Sequence, residues 1–450
     1  MTFQTKKKIY FETIGCPKNE VDTSYMQGML SKQHTIVEHP DNSNVIIINT
    51  CSFIEAASQE SIERILELSE YKQSGTCQKL IVIGCLVERY APDIKQALPE
   101  VDFFLGTGAL DRLQAVVADD QTQSCILTPP PKQSHYFRNH APRWLPPKSK
   151  TAYIQIAEGC SYHCTYCIIP KLRGPYHSIS EQRILEEFNL CLNAGMKEIV
   201  LVAQDTAAYG TDSSEHGTLA ALLTQMAEKV ESLGSEIWIR TLYMNPQNID
   251  EHLIQTINRF QCICPYIDMP IQHVTNEILE KMNRPYKKND LLRLIEKMRS
   301  ENPDITLRTS LLVGFPGEKE KDFQELMDFI KEIQFDHLGV FDYSDSEDLA
   351  SHHLEDHVDE NEKEARRHEL MTCQAEISYK RYQRFIGKQL DVLTEGLSED
   401  DPPLPEGRTV FQAPEIDGIT MVSGKNIETG KIYPVKIIQA FHYDLLGEAI

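Results

Sequence analysis

The chain has no run of about eighteen apolar residues, the minimum for a membrane-crossing helix. No secretory-type apolar segment follows its start, Met1-Thr2-Phe3-Gln4-Thr5-Lys6-Lys7-Lys8. Together these absences predict a cytoplasmic protein with no membrane partner. A repeat of the solenoid type is also missing, which removes stacked-repeat architectures. Basic charge is in deficit: 45 Lys and Arg stand against 67 Asp and Glu, a net charge of −22. Such a surplus repels phosphate backbones and speaks against direct nucleic-acid binding. It suits a basic partner such as a ribosomal protein, or serves solubility alone. What remains is ordinary for a globular protein, with 41% apolar and 25% charged residues. A length of 450 residues allows two to four domains. Twelve cysteines in a reducing compartment point to metal or catalytic use rather than disulfides.

Three of them, Cys160, Cys164 and Cys167, lie in Glu158-Gly159-Cys160-Ser161-Tyr162-His163-Cys164-Thr165-Tyr166-Cys167, after the apolar run Tyr153-Ile154-Gln155-Ile156-Ala157. Three thiolates at these gaps can hold three irons of a 4Fe–4S cube, which normally takes four Cys ligands. The fourth iron keeps an open position, as three-ligand catalytic zinc does, and that points to chemistry rather than electron carriage. The competing reading is a zinc knuckle, but zinc needs a fourth ligand, and His163 in that role would close the site.

Residues 8–120 alternate strand-length apolar runs (Lys8–Ile14, Val45–Thr50, Lys79–Gly84) with helical segments such as Ser58–Glu70, the pattern of a parallel sheet. Each run is followed almost at once by a cysteine: Cys16, Cys51 and Cys85. Their spacings, 35 and 34 residues, each match one βαβ unit. Parallel neighbouring strands then deliver all three thiols to one carboxyl edge, where open α/β sheets bind ligands. A second three-thiolate site is implied, against the plainer reading of three small buried hydrophobes. Cys77, Cys125, Cys191, Cys262, Cys264 and Cys373 lack this placement and read as ordinary thiols.

The Pro-rich stretch 123–147 reads as a linker. From 148 to 378, six strand candidates recur with helices between them: Ala152–Ala157, Ile199–Asp205, Ile237–Tyr243, Tyr266–Pro270, Ile305–Val313 and Leu338–Tyr343. Six βα units suit an incomplete parallel barrel, whose active site lies at the strand carboxyl ends. Residues 360–386 form a charged helical stretch that straps it. The tail turns to short β-type runs (Thr409–Gln412, Ile419–Val422, Ile432–Ala440), expected as a small closed β-barrel of the oligonucleotide-binding kind. From residue 387 onward the tail carries five basic residues against eleven acidic ones, the wrong sign for nucleic acid. The expected division is 6–122, linker 123–147, 148–378 and 379–450.

Over about residues 8 to 448 this arrangement resembles the methylthiotransferases of the radical S-adenosylmethionine (SAM) superfamily. Gly15-Cys16-Pro17-Lys18-Asn19, Asn49-Thr50-Cys51-Ser52-Phe53-Ile54, Ala203-Gln204-Asp205-Thr206, Tyr266-Ile267-Asp268-Met269-Pro270-Ile271-Gln272-His273 and Gly314-Phe315-Pro316-Gly317-Glu318 are similar to the branch that modifies the twelfth small-subunit ribosomal protein. Ala413-Pro414-Glu415-Ile416-Asp417-Gly418 resembles the family's tail barrel, called TRAM. Lys18 favours this branch over the sibling that thiolates a tRNA adenosine and typically reads Gly-Cys-Gln-Met-Asn. Glu347-Asp348-Leu349, Tyr162-His163 and Pro175-Tyr176-His177-Ser178 depart from the family pattern without touching a cluster ligand.

The resemblance implies two 4Fe–4S clusters, one on Cys160, Cys164 and Cys167 that binds and cleaves SAM, and one on Cys16, Cys51 and Cys85 that carries the sulfur. It also implies SAM contacts from Tyr166, Gln204, Asp205, Arg240, Arg308, Gly314 and Gly317. Each has a plainer alternative: a rim aromatic, a structural ion pair, an ordinary turn. The implied partners are the ribosomal protein, a sulfur donor and an electron donor such as flavodoxin or ferredoxin. The implied reaction places a methylthio group on an aspartate β-carbon. Two rival readings are the tRNA methylthiotransferase and a non-catalytic iron–sulfur protein on the ribosome.

Overall fold

The structure, a computed structural model, describes residues 6–91, 93–119, 125–131, 140–147, 149–213, 216–399 and 402–450. The amino-terminal residues 1–5 and parts of the expected linker, 123–124 and 132–139, lie outside the described residues. Two compact units are formed: one from Met1–Pro146, Ala157–His163 and Cys167–Arg183, the other from Pro147–Ile156, Cys164–Tyr166 and Ile184–Ile450.

The first unit is built on six strands: β1 (Lys8–Thr13), β2 (Thr35–Val37), β3 (Val45–Thr50), β4 (Lys79–Gly84), β5 (Phe103–Leu105) and β6 (Cys125–Leu127). They form one parallel sheet in the order β2-β1-β3-β4-β5-β6. Every residue of β3 and β4 is buried, as expected for central strands covered on both faces. Ile46, Ile48, Leu80 and Val82 pack with Ile65 and Leu68 of the helix Glu55–Ser74. Each such aliphatic side chain contributes about 1.5–3 kcal/mol on burial. Part of the expected linker becomes β6, because Ile126 and Leu127 fall in register with Phe104 and Leu105. A short antiparallel pair, β8 (Ala157–Glu158) with β9 (His177–Ser178), also belongs to this unit.

In the second unit β7 (Thr151–Gln155), β10 (Glu198–Val202), β11 (Trp238–Thr241), β12 (Tyr266–Asp268), β13 (Thr306–Val313) and β14 (His337–Asp342) supply the six expected barrel strands. They pair in parallel as β11-β10-β7 and β12-β13-β14. The parallel bridge Ile239↔Ile263 closes the gap between the two halves. Helices fill the connections. Thr218 and Asp250 cap two of them, accepting from Ala221 at 3.3 Å and Leu253 at 2.7 Å. The helix Glu320–Ile333 buries Phe323, Leu326, Met327, Ile330 and Ile333, a stripe at 3.6-residue spacing.

The strap is the helix Glu360–Tyr382. It is fixed by Lys363 Nζ to the Tyr343 carbonyl at 3.0 Å, Gln374 to the Phe335 carbonyl at 2.8 Å and Ser378 to the Asp336 carbonyl at 2.8 Å. The tail closes as a five-stranded barrel: β15 (Gln389–Leu397), β16 (Pro405–Arg408), β17 (Thr420–Ser423), β18 (Ile432–Ala440) and β19 (Leu445–Ala449), in the order β15-β16-β17-β19-β18. Closure leaves no sheet edge. Thr409–Gln412, expected as a strand, is instead a turn. The Gln412 side chain accepts from the Thr409 amide at 3.1 Å and the Thr420 hydroxyl at 2.7 Å, which fixes the turn without a ladder. No described helix is long and apolar enough to cross a membrane.

Candidate active site

In the first unit β1, β3 and β4 are adjacent and parallel, so their carboxyl ends share one edge. Cys16 caps the helix Pro17–Leu30, Cys51 follows β3 and Cys85 follows β4. Gly15 (φ 105°) allows the chain to press on Cys51; a Cβ there would stand 3.0 Å from its Sγ. Burial pushes the Cys51 thiol up to about 11, with the Cys85 and Cys16 sulfurs adding to the effect. Burial raises Cys85 as well, against the pull of Arg173. Three thiols that feel one another's charge suit a bound cation that displaces their protons. Among the described residues no three ligand side chains converge as one metal ion requires. A cube spreads its thiolates over separate irons, so it fits these donors where a mononuclear ion does not.

Sequence reasoning missed the residue beside this trio. Arg173 ends the short helix Ile169–Arg173, six positions after Cys167. Its guanidinium, 3% exposed, donates to Asp22 at 2.8 Å and to Asn19 at 2.6 Å. Glu158 lies at 3.5 Å. No local pattern marks it, since both hydrogen-bond partners are more than 150 residues away in sequence.

Cys160, Cys164 and Cys167 are all half-buried. The loop bearing them is held by backbone bonds: Cys160 donates to the Gly174 carbonyl at 3.0 Å, and Thr165 to that of Met282 at 3.2 Å. The Thr165 carbonyl accepts from Ser351 at 2.9 Å, and its hydroxyl donates to the Lys281 carbonyl at 2.8 Å. Three thiols on a pinned loop fit three corners of a cube.

Tyr166 stands edge-on to Phe315, centroids 6.4 Å apart and planes at 87°. Phe315 belongs to the turn Gly314-Phe315-Pro316-Gly317, where both glycines have positive φ (72° and 84°). Glu318 fixes that turn by accepting from the Gly314 amide at 2.9 Å, and Arg366 of the strap holds its other oxygen at 2.8 Å. Burial lifts the Glu318 carboxyl to about 7 despite Arg366. Its neighbour His273 is pushed down to about 3 by burial and is therefore neutral. Gln204 and Asp205 follow β10. Asp205 accepts from the Asn245 amide at 3.0 Å and from Asn248 at 2.6 Å. Burial raises the nearby Tyr286 phenol to about 12, and its hydroxyl donates to the Ile271 carbonyl at 3.0 Å.

Arg240 and Arg308 have other partners than the SAM carboxylate or ribose suggested by the sequence. Arg240 is fully buried, donating to Glu198 at 2.6 Å and to the Val410 carbonyl at 3.0 Å. Arg308 pairs with Asp268 at 2.9 Å and lies 3.5 Å from Asp417 of the tail. The tail reaches the first residue of four strands: Thr151 (Glu395, 3.2 Å), Glu198 (Arg408, 2.6 Å), Tyr266 (Asp417, 2.6 Å) and His337 (Phe411 carbonyl, 2.9 Å). It therefore covers the amino-terminal mouth of the barrel, and Arg240 serves that junction. Cys262 and Cys264 are raised to about 11 and 12 by burial, as expected of ordinary thiols.

Three family models match in succession: uncharacterized protein family UPF0004 over residues 8–106, the radical SAM superfamily over 154–330 and the TRAM domain over 386–450. Ribosomal protein uS12 methylthiotransferase RimO of Desulfosudis oleivorans is 42% identical over 98% of this chain and 100% of its own length. The Clostridioides difficile protein of that name is also 42% identical, over 98% and 99%. Among solved structures, the radical SAM methyltransferase TsrM of Kitasatospora setae superposes with a TM-score of 0.56 at 12% identity, covering 74% of this chain and 73% of its own. That likeness concerns the fold alone. Relatives of this identity, matched along their whole length, show the family: the chain belongs to the RimO family of radical SAM methylthiotransferases.

Proposed function

We propose that this enzyme replaces a β-hydrogen of an aspartate in ribosomal protein uS12 by a methylthio group, using SAM and two 4Fe–4S clusters. The observation that supports the reading is that Cys16, Cys51 and Cys85 follow three adjacent parallel strands at one sheet edge, in a chain that separately carries the Cys160–Cys167 loop. Cys160, Cys164 and Cys167 would hold the first cluster, and Cys16, Cys51 and Cys85 the second. When bound, these groups supply reductive cleavage of SAM and a place for sulfur, chemistry that side chains alone do not provide.

The protein's own part is placement. Tyr166 and the Gly314–Gly317 turn offer an aromatic edge and a tight backbone turn suited to an adenine. Gln204 and Asp205, at the carboxyl end of β10, are placed for the SAM amino group. Arg308, lying between Asp268 and Asp417, has less freedom to reach SAM. Glu318, anchored by Arg366, keeps the turn rigid. A cytoplasmic location, a sulfur donor and an electron donor such as flavodoxin or ferredoxin complete the proposal.

The test mixes reconstituted enzyme with SAM, reductant, sulfide and uS12, then weighs the protein substrate. A net gain of CH2S supports sulfur insertion; a gain of CH2 alone, or none, ends the proposal. The acidic tail separates this reading from tRNA thiolation, whose enzyme would lose RNA affinity steeply with salt.

A further inference from the structure

Side chains along a strand alternate between its two faces. In β13 and β14 the register sets Arg308 beside His337, Ser310 beside Gly339 and Leu312 beside Phe341 on one face. That face is the inner one of the barrel: Arg308 reaches Asp268 of β12 at 2.9 Å, and the His337 ring stands 6.0 Å from that of Tyr266. The alternate residues Thr309, Leu311, Leu338 and Val340 are buried, as the outward side of a helix-covered arc requires. The inner face is filled less completely. Ser310 and Gly339 are partly exposed, and Phe341, although it points inward, is 50% exposed. An open lumen therefore runs along β13 and β14. Toward the strand carboxyl ends it meets Leu312, which shares a core cluster with Phe315, and Tyr166 packs on that cluster.

Arg308 stands at the other end of this lumen, its side chain 10% exposed. One terminal nitrogen is committed to Asp268 at 2.9 Å, and Nε lies 3.5 Å from Asp417. The second terminal nitrogen donates no hydrogen bond among the described residues. It lies 3.6 Å from where a Cβ on Gly339 would stand, one step nearer the carboxyl ends than His337, the register partner of Arg308. The two carboxylates behind it have donors of their own. Asp268 accepts from the Tyr243 amide at 2.9 Å, and Asp417 from the Tyr266 hydroxyl at 2.6 Å and the Ala413 amide at 2.8 Å. They hold the guanidinium in place and leave its last nitrogen for an acceptor in the lumen. A carboxylate is the acceptor that gains most there, because a hydrogen bond between two charged groups is about twice as strong as a neutral one.

We propose that Arg308 is a specificity-determining residue that holds the side-chain carboxylate of the substrate aspartate. The aspartate enters past Phe341 and over Gly339, whose missing side chain leaves room for it. The inference rests on the reading that an aspartate of uS12 is the residue modified. Lysine cannot replace Arg308, since one ammonium does not serve Asp268 and a second acceptor with the same rigid fork.

The test uses reconstituted full-length enzyme with SAM, reductant, sulfide and uS12. The parent is compared with Arg308→Lys and with Gly339→Val, which fills the space and leaves both ion pairs of Arg308 in place. KM is read separately for uS12 and for SAM, and uS12 with asparagine in place of the modified aspartate is added as a competitor. Both variants should raise the KM for uS12 roughly 10- to 100-fold and leave that for SAM at the parent's value. The parent should hold the asparagine competitor about tenfold more weakly than uS12, whereas Gly339→Val should hold the two alike. If Arg308→Lys fails to fold, Gly339→Val decides. A KM for uS12 that stays at the parent's value, or rises no more than the KM for SAM, overturns the inference. So does an asparagine competitor that the parent holds as tightly as uS12. A parent that leaves uS12 unthiolated, or thiolates another residue type, instead overturns the aspartate reading itself, so the two failures are distinct.

Discussion

Arg408 of the tail barrel and Glu198, the first residue of β10, meet at 2.6 Å with side chains 3% and 0% exposed. Glu198 also accepts from Arg240 at 2.6 Å. One carboxylate thus joins a barrel strand to a module 210 residues further along the chain.

Removing Arg408 strands that carboxylate beside only one cation. Arg408→Ala should cost about 3–5 kcal/mol, the usual penalty for breaking a buried pair. Urea denaturation checks it; a loss below about 1 kcal/mol would place the junction's strength elsewhere. Burial opposes ionisation of Glu198, but Arg408 and Arg240 outweigh it and lower its pKa. Its stabilising contribution is therefore complete above the unfolded carboxyl value of about 4.3 and fades as acid approaches the lowered folded value. In Glu198→Gln that part of the acid dependence should vanish.

Glu318 behaves in the opposite sense. Its folded pKa of about 7 exceeds the unfolded value of about 4.3, so the native state holds the extra proton between them. Stability should decline as pH rises through that window, by roughly 4 kcal/mol at most. Glu318→Gln should flatten the slope, as measured by thermal unfolding from pH 4 to pH 8. A parent whose stability rises across the same window contradicts the assignment.

The two cysteine trios should separate in function. Cys164→Ala should abolish 5′-deoxyadenosine formation from SAM. Cys51→Ala should still form some while leaving the protein substrate unthiolated. Chromatography of the small products and mass spectrometry of uS12 read both outcomes; normal thiolation by either variant refutes the division.

Tyr166 meets Phe315 edge-on, and such pairs contribute about 0.5–1.5 kcal/mol. Tyr166→Ala should therefore raise the KM for SAM roughly 2- to 12-fold, while Tyr166→Phe keeps the ring and stays near the parent. Equal KM values for both variants would remove Tyr166 from the SAM site.

The two cysteine trios were legible because each lies in a strong local pattern. Val45–Thr50 and Lys79–Gly84 are six-residue strands ending where the sequence suggested, and Cys51 and Cys85 follow directly. The barrel cysteines need no tertiary inference, being eight residues from first to last. Three-residue strands such as β2 and β5 are too short to show periodicity. β16, Pro-Glu-Gly-Arg, runs against β-propensity and is set by its neighbours β15 and β17. The arginines were the least legible. Arg173, Arg240 and Arg308 look alike as sequence, and only contacts distant along the chain show that one is held by Asp22 and Asn19 while another fastens the tail.

The Glu198–Arg408 bond also dictates an order of events during synthesis. When β10 emerges from the ribosome, the cation that will neutralise Glu198 alongside Arg240 has not yet been made. Until translation has passed position 408, Arg240 is the one arginine available to pair with Glu198. A truncated product ending after the strap would retain every cysteine of both trios and leave Glu198 with Arg240 as its one remaining arginine.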